Sequence, residues 1–371
     1  AVATPILAPD AAAAATRRAA AALAVTPRKR RATASTAAAT APRLAADHLR
    51  LLNTPRLPAL VQLRAIVALQ TVFCILAVDF SVVFPAQHAK TASLGAGGVV
   101  VYQSPSVMDF GTAGIVLTGA LVRRTRGGGG SGAGRARRTV TLVALGALRA
   151  LAITLFGVGA PESEMGRHWS FFLTLACVHE AVPRLAPTSA VRALGLGLAI
   201  LCAHQLVLSH GGLARIVADA PREGLISANK EGLISLPGYV ALALVGDALG
   251  SLFRRQPTLH GWLNVCQRVA AASALSWVAT FAAASLWQPP CARLCNLSYA
   301  LWSVALILLL ALLCVIGSLV SKPSPSRDLC AVNSSPLTVF VAANLLTGAI
   351  NLLIETKSVG VGLSLTVLTA Y

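Results

Sequence analysis

Charged residues are scarce in this chain of 371 residues. Lys, Arg, Asp and Glu make up only 12% of it, just 13 residues are acidic, and 56% are hydrophobic. The mean hydropathy is +0.71. A chain with so little charge and so much apolar surface falls outside the class of ordinary soluble domains and into the class of membrane proteins.

Strict alternation of apolar and polar residues is also absent, which argues against a transmembrane β-barrel. The sequence has apolar runs instead, most of them near the roughly 20 helical residues that cross about 30 Å of hydrocarbon. These runs cover residues 57–84, 107–122, 139–160, 168–185, 191–209, 236–253, 262–287, 297–320, 336–354 and 359–371. Helices satisfy every backbone group in lipid, so we predict an all-α, polytopic helical membrane protein with about nine or ten transmembrane helices.

The net charge of +18 is distributed unevenly. Basic residues occupy the Ala-rich N-terminal tail and short loops such as 123–138, a pattern typical of the positive-inside rule rather than of nucleic-acid binding. The rule puts the tail, the 123–138 loop and the loops near 184–192, 254–255 and 322–327 in the cytosol. It puts loops 85–106, 161–167, 210–235 and 288–296 on the opposite face. We predict a basic disordered tail over 1–56 and a membrane domain over 57–371.

Polar residues gather in the loops of that opposite face. The segment 227–239 holds Asn229, Lys230 and Glu231 beside an apolar run, with Tyr239 at its end. Polar side chains are unfavourable near lipid, so such a cluster predicts a functional site. A solvated loop is the alternative that the sequence leaves open.

Further polar residues mark helix ends on the same face. Asp79 ends the first run, where a carboxylate opposes the helix dipole, so a helix cap explains it poorly. Asp109 begins the second run, where a cap explains it well. Lys90 lies between these runs, and His168 begins the fourth. For His168, a catalytic and a structural role at the membrane interface are equally open.

Five motifs follow one another along the chain and together resemble one family. They are Ile75–Phe80 with Met108–Gly111, Arg167–Thr174, Ser227–Tyr239, Asn296–Trp302 and Ala343–Asn351. In composition and order they resemble the GPI inositol acyltransferases, the PIG-W family, from about residue 60 to the end of the chain. One run departs from that pattern, since Ala86, Gln87 and His88 stand before Lys90 where the family has two arginines.

The resemblance implies a multi-pass enzyme of the endoplasmic reticulum membrane. Such an enzyme moves a fatty acyl group, typically palmitoyl, from acyl-CoA to the inositol hydroxyl of glucosaminyl-phosphatidylinositol in GPI-anchor biosynthesis. Acyl-CoA is then a co-substrate, the lipid is the partner, and neither a bound cofactor nor nucleic acid is expected. The family's first spans would be missing here, with the Ala-rich tail in their place.

The same resemblance and the residue types suggest catalytic roles. Attack of a hydroxyl on a thioester needs a base for the proton and a cation or donor for the oxyanion. We expect Asp79 to be the base and Lys90 to polarise the thioester, with His168 as the rival base because its usual pKa suits proton transfer. The residues expected to bind substrate are Asp109, Asn229, Lys230, Glu231 and Tyr239.

Two other readings remain. A secondary transporter would explain the intramembrane acids Glu180 and Asp247, but it predicts internal repeats, and we find no convincing one. A catalytically decayed homologue is favoured by the altered 86–92 run.

Cys291 and Cys295 are spaced like metal ligands without further ligands nearby, so no metal site is predicted. The sequence leaves open whether these two cysteines form a disulfide or stay as two free thiols.

Overall fold

The computed structural model describes residues 46–84, 94–100, 105–127, 132–156, 162–321 and 323–371. It divides the chain into two units, 1–51 and 52–371, and the second holds the helices discussed below. Most of the predicted tail and the whole of the altered 86–92 run, which includes Lys90, lie outside the described residues. The predictions made for those segments therefore stay predictions.

The second unit is built from helices. In chain order they are α1 Pro58–Ala77, α2 Val107–Thr125, α3 Gly132–Phe156, α4 Glu162–Met165, α5 Phe171–Leu185, α6 Ala190–His210, α7 Leu213–Asp219, α8 Leu225–Ala228, α9 Lys230–Leu249, α10 Leu259–Leu286, α11 Leu297–Val320, α12 Arg327–Ser334, α13 Pro336–Leu353 and α14 Val361–Ala370. Two 3₁₀ turns cover Ala96–Gly98 and Gly250–Leu252. The described residues contain no β-strand beyond one isolated bridge, Leu94 to Val100.

Each predicted apolar run forms a helix, which confirms an all-α polytopic membrane protein. Seven helical segments are long and apolar enough to cross a membrane: Pro58–Ala77, Gly132–Leu155, Ala190–His210, Lys230–Leu252, Leu259–Leu286, Leu297–Val320 and Pro336–Leu353. The other three predicted runs form α2, α5 and α14, with 19, 15 and 10 residues. The described structure thus gives seven such segments where the sequence predicts nine or ten spans.

The difference in boundaries that bears on the site concerns α9. The sequence predicts that this helix begins at residue 236, but it begins at Lys230 and continues through Pro237. Proline inside a helix removes one hydrogen bond and is usually a stop signal, which is why the sequence places 227–235 in a loop. The polar residues Lys230 and Glu231 therefore form the first turn of α9, where a carboxylate interacts favourably with the helix dipole.

Helix α9 is the most deeply buried of the seven segments, because 67% of the residues in its apolar 18-residue stretch are buried. It packs against α2, α5 and α6. A Cβ placed on Gly197 of α6 would lie 3.0 Å from the backbone oxygen of Ala241, so this glycine permits close packing of α6 against α9. By contrast, only 6% of the residues in the apolar stretch of α13 are buried.

Hydrogen bonds join the loops in two sets that match the two predicted faces. The predicted cytosolic set includes Asn53 with Gln256 at 2.8 Å, Arg124 with Thr188 at 2.8 Å and Arg64 with Asn333 at 3.1 Å. The opposite set includes His168 with Asn229 at 2.8 Å, Arg293 with Glu231 at 3.0 Å and Asp79 with Asn351 at 2.8 Å. The helices therefore alternate in direction as the arginine distribution predicts.

Candidate functional site

Asn229 fixes the loop that carries His168. Its Oδ1 accepts the backbone N–H groups of His168 and Trp169 at 2.8 and 2.7 Å, and its Nδ2 donates to the Leu225 carbonyl at 2.8 Å. Gly166 has φ +111, and a Cβ there would lie 2.6 Å from the Asn229 Cα. This turn therefore needs glycine, and both ends of the Asn229 amide are engaged by backbone groups.

Glu231 is the centre of a buried ion-pair cluster. The residue is 1% exposed. Its carboxylate pairs with the guanidinium groups of Arg222 and Arg293, and the distance to Arg293 is 3.0 Å. Arg222 also donates to the Ala228 carbonyl at 3.1 Å, and Arg293 to the Val217 carbonyl at 3.4 Å. Two cations thus neutralise one buried carboxylate and connect α9 with the loops on both sides of it.

Lys230 lies next to this cluster and is also buried. Its Nζ donates to the carbonyl of Ala220, in the segment between α7 and α8. The polar atoms of Asn229, Lys230 and Glu231 are therefore in contact with protein groups. These three residues hold the loops of this face together.

Asp109 and Tyr239 belong to a second buried network. Asp109 forms a capping box with Ser106 at the start of α2, and its Oδ2 accepts the Ser106 N–H at 2.8 Å. The Tyr239 hydroxyl is 3.0 Å from the Thr112 hydroxyl, and the Tyr299 hydroxyl donates to the Asp109 carbonyl at 2.5 Å. This network joins α2, α9 and α11 through side chains that lie inside the bundle.

The segment 291–297 is buried although it is not helical before Leu297. Asn296 satisfies its backbone, because Oδ1 accepts the N–H groups of Cys291 and Tyr299 at 3.0 and 3.1 Å. Cys295 has φ +46, and a Cβ on Gly238 would lie 2.3 Å from its carbonyl oxygen. Glycine at 238 therefore lets this segment approach α9.

Cys291 and Cys295 are both buried, and neither forms a disulfide bond among the described residues. Groups of three or more His, Cys, Asp or Glu side chains with metal-binding geometry do not occur among the residues that the structure describes. The expectation that no metal is needed stays a prediction.

Asp79 lies apart from these networks, in the turn that follows α1. The residue is half-buried, and its Oδ2 accepts a hydrogen bond from the Asn351 amide at 2.8 Å. Burial raises the pKa of the Asp79 carboxyl, while the Asn351 hydrogen bond and the positive charge of Lys357 act in the opposite direction. A half-buried carboxylate with a raised pKa is a better proton acceptor than an ordinary surface aspartate.

The structure places Asp79 with Asn351 and Lys357, and it places His168 with Asn229. The His168 side chain is half-buried. Lys90, the predicted partner of Asp79, lies outside the described residues. The roles assigned to Asp79, Lys90 and His168 therefore stay predictions.

Sequence reasoning missed four residues that complete these networks: Arg222, Arg293, Tyr299 and Asn351. The two arginines had a usable signal, since they lie in loops on the face where the positive-inside rule disfavours basic residues. Tyr299 and Asn351 lie inside motifs that the sequence already singled out, without any indication of their partners.

The intramembrane acids cited for a transporter are both paired. Asp247 is fully buried and forms ion pairs with Arg123 and Arg124 at 2.7 and 2.9 Å. Glu180 pairs with Arg184 and lies 3.7 Å from the Arg135 Nε. Both acids therefore act in helix packing at the predicted cytosolic face, and neither supports a substrate pathway.

Comparison with known proteins identifies similar sequences across most of the chain. A family model described as GWT1 matches residues 4–371, so the matched range includes the segment predicted to be a tail. A phosphatidylinositol-glycan biosynthesis class W protein of Dictyostelium discoideum is 27% identical over 86% of this chain and 72% of that protein. A GPI-anchored wall transfer protein 1 of Aspergillus fumigatus is 29% identical over 86% of this chain and 70% of that protein. An uncharacterized protein of Arabidopsis thaliana is 30% identical over 83% of this chain and 69% of that protein.

Proposed function

Because the chain belongs to the GWT1 family, we propose that it is a membrane-bound O-acyltransferase of GPI-anchor biosynthesis. It moves a fatty acyl group, typically palmitoyl, from acyl-CoA to the inositol hydroxyl of glucosaminyl-phosphatidylinositol in the endoplasmic reticulum membrane. The names of the Dictyostelium and Aspergillus relatives, which refer to phosphatidylinositol-glycan biosynthesis and to GPI-anchored proteins, support this assignment.

The observation that carries the chemical part is the environment of Asp79. Its carboxylate is half-buried, is held by one amide donor and lies at the end of a membrane-spanning helix. A lipid substrate presents its headgroup hydroxyls at such a depth. Asp79 is therefore well placed to act as general base, and Lys90 is the proposed oxyanion stabiliser.

The proposed reaction is the transfer of an acyl group from a thioester sulfur to a hydroxyl oxygen. The inositol oxygen bonds to the thioester carbonyl carbon while its proton passes to Asp79, and Lys90 stabilises the charge on the thioester oxygen. The carbon–sulfur bond then breaks, and Asp79 returns the proton to the leaving coenzyme A thiolate. The products are the acylated lipid and coenzyme A.

The buried polar residues contribute to substrate binding indirectly in this proposal. Asn229, Lys230 and Glu231 fix the loops of one face, and Asp109 and Tyr239 belong to the network that joins α2, α9 and α11. Each of the five makes hydrogen bonds or ion pairs with protein groups, so we expect their substitution to disturb the shape of the substrate site rather than a direct contact with the lipid.

The experiment is an acyl-transfer assay in microsomes from cells that lack inositol acylation. Wild type should transfer labelled palmitoyl from palmitoyl-CoA to glucosaminyl-phosphatidylinositol. Asp79→Asn should reduce the rate by about 10²–10⁴-fold at an unchanged protein level. A dead His168→Ala together with an active Asp79→Asn would move the base to His168, and an inactive wild type would favour the decayed homologue suggested by the altered 86–92 run.

A further inference from the structure

The last helices of the chain pack around the end of α1 that carries Asp79. Leu76, Ala77 and Phe80 form a buried cluster with Leu368 of α14, and Ile350 of α13 packs against it. The Tyr371 hydroxyl reaches the Ala343 and Val72 carbonyls at 3.2 and 3.5 Å. The end of α1 and the α13–α14 hairpin are thus one packed unit.

Two polar contacts tie the α13–α14 hairpin to the turn after α1, one from the end of α13 and one from the α13–α14 linker, residues 354–360. Asn351 donates its amide to the Asp79 Oδ2 at 2.8 Å, and its Oδ1 faces the Thr356 hydroxyl at 3.4 Å. The Ser81 hydroxyl donates to the Lys357 carbonyl at 3.1 Å. The Asn351 amide is therefore oriented from the linker side while it holds one oxygen of the carboxylate.

We infer that Asn351 and Lys357 are positioning residues of the acyl-transfer site, which orient the Asp79 carboxylate and tune its basicity. The inference rests on the proposed function, and it assigns a role to the α13–α14 hairpin. Asn351 fixes Oδ2, and Oδ1 has no hydrogen-bond partner among the described residues. Oδ1 is thus the oxygen that faces the substrate hydroxyl and accepts its proton.

Lys357 supplies a positive charge near this carboxylate from an exposed position in the linker. The Ser81 hydrogen bond holds the Lys357 backbone beside the turn that carries Asp79. The other titratable groups on the described parts of the packed elements are Arg64 and Cys74 of α1, Glu355, which is exposed in the linker, and Tyr371, whose hydroxyl is engaged by backbone carbonyls.

The pH profile of kcat/KM for acyl transfer tests this role. A general base works when deprotonated, so the rate rises with pH through its pKa. Asn351 and Lys357 both lower the pKa of Asp79, and their removal raises it. Asn351→Ala should reduce kcat/KM about tenfold at the acidic end and move the acidic limb to higher pH. Lys357→Gln should move the limb in the same direction, more strongly at low ionic strength.

Conservative variants separate positioning from a merely structural role. Asn351→Gln keeps the amide donor and Lys357→Arg keeps the charge, so each should restore the acidic limb toward wild type. Ser358→Ala is the matched control, because its hydroxyl bonds only the Glu355 carbonyl of its own turn at 3.0 Å, and it should leave the profile unchanged. A uniform loss of rate at all pH values, or a limb that stays fixed in Asn351→Ala, would overturn the inference.

The assay also separates failure of this inference from failure of the proposed function. An inactive wild type, or full activity of Asp79→Asn, would refute the proposed function or its base. Loss of activity in Asp79→Asn with a wild-type profile in Asn351→Ala and Lys357→Gln would refute the positioning role alone.

Discussion

The buried cluster around Glu231 makes a quantitative prediction about stability. Glu231→Gln removes the carboxylate that pairs with both Arg222 and Arg293, so the buried Arg293 keeps its charge and loses this counterion. Removing one partner of a buried ion pair typically destabilises a protein by about 3–5 kcal/mol. Arg222 contributes less to this loss, because 23% of its side chain is exposed and water screens its charge.

The opposite substitution should be milder. In Arg293→Met the Glu231 carboxylate keeps Arg222, whose Nη1 donates to Oε2 at 3.0 Å. The loss is then about one charged hydrogen bond, roughly 1.5–3 kcal/mol. The double variant Glu231→Gln, Arg293→Met removes both buried charges, so it should lose clearly less than the sum of the two single variants.

The measurement is the free energy of unfolding of the purified protein in mixed micelles, with accumulation in the membrane as a second readout. Losses of this size are a large part of a typical total stability of about 5–15 kcal/mol, so both single variants should also accumulate poorly. Arg215→Met is the control, since Arg215 is exposed on the same face and its loss should change stability by less than about 0.5 kcal/mol. A loss under about 1 kcal/mol in Glu231→Gln, or additive losses in the double variant, would refute the account of a desolvated cluster.

Two further predictions concern topology and modification. In sealed microsomes, a cysteine introduced at the exposed position Arg255 should react with a membrane-impermeant reagent without permeabilisation. A cysteine introduced at the exposed position Leu225 should react only after the membrane is permeabilised. The reverse result would invert the predicted membrane orientation. Asn296, Leu297 and Ser298 form an N-glycosylation acceptor sequence, but mass spectrometry should find no glycan on it, because the Asn296 side chain is 0% exposed and both its amide atoms bind backbone groups. A glycan there would show that the 291–297 segment leaves the bundle.

The helices were predictable because lipid leaves the backbone few choices. A long apolar run in a membrane must satisfy its own N–H and C=O groups, so the ten apolar runs each located a helix, while the short helices α4, α7, α8 and α12 were not predicted. The ends are set by particular contacts that composition does not record. The sequence predicts that α9 starts at residue 236, next to Pro237, yet α9 extends back to Lys230, where Glu231 meets two arginines from outside the helix.

The partners of the candidate residues were not predictable from the sequence. Asp79 and Asn351 are 272 residues apart, and Glu231 and Arg293 are 62 apart. Local rules such as caps and helix dipoles concern neighbours within a turn or two. They correctly describe Asp109, whose capping box lies within three residues, and they give no information about contacts between distant helices.

Burial divides the predicted site residues into two kinds, and this division locates the chemistry. Asn229, Lys230, Glu231 and Tyr239 are buried with their side-chain polar groups engaged by protein groups, and Asp109 is buried with its Oδ2 in the capping box. A group that must accept a proton from a lipid needs an accessible atom within hydrogen-bond reach of it. Among the predicted residues that the structure describes, only Asp79 and His168 remain half-buried. Asp79 has in addition an oriented carboxylate with a raised pKa, and proton transfer is therefore more readily placed at the end of α1 than in the buried cluster of α9.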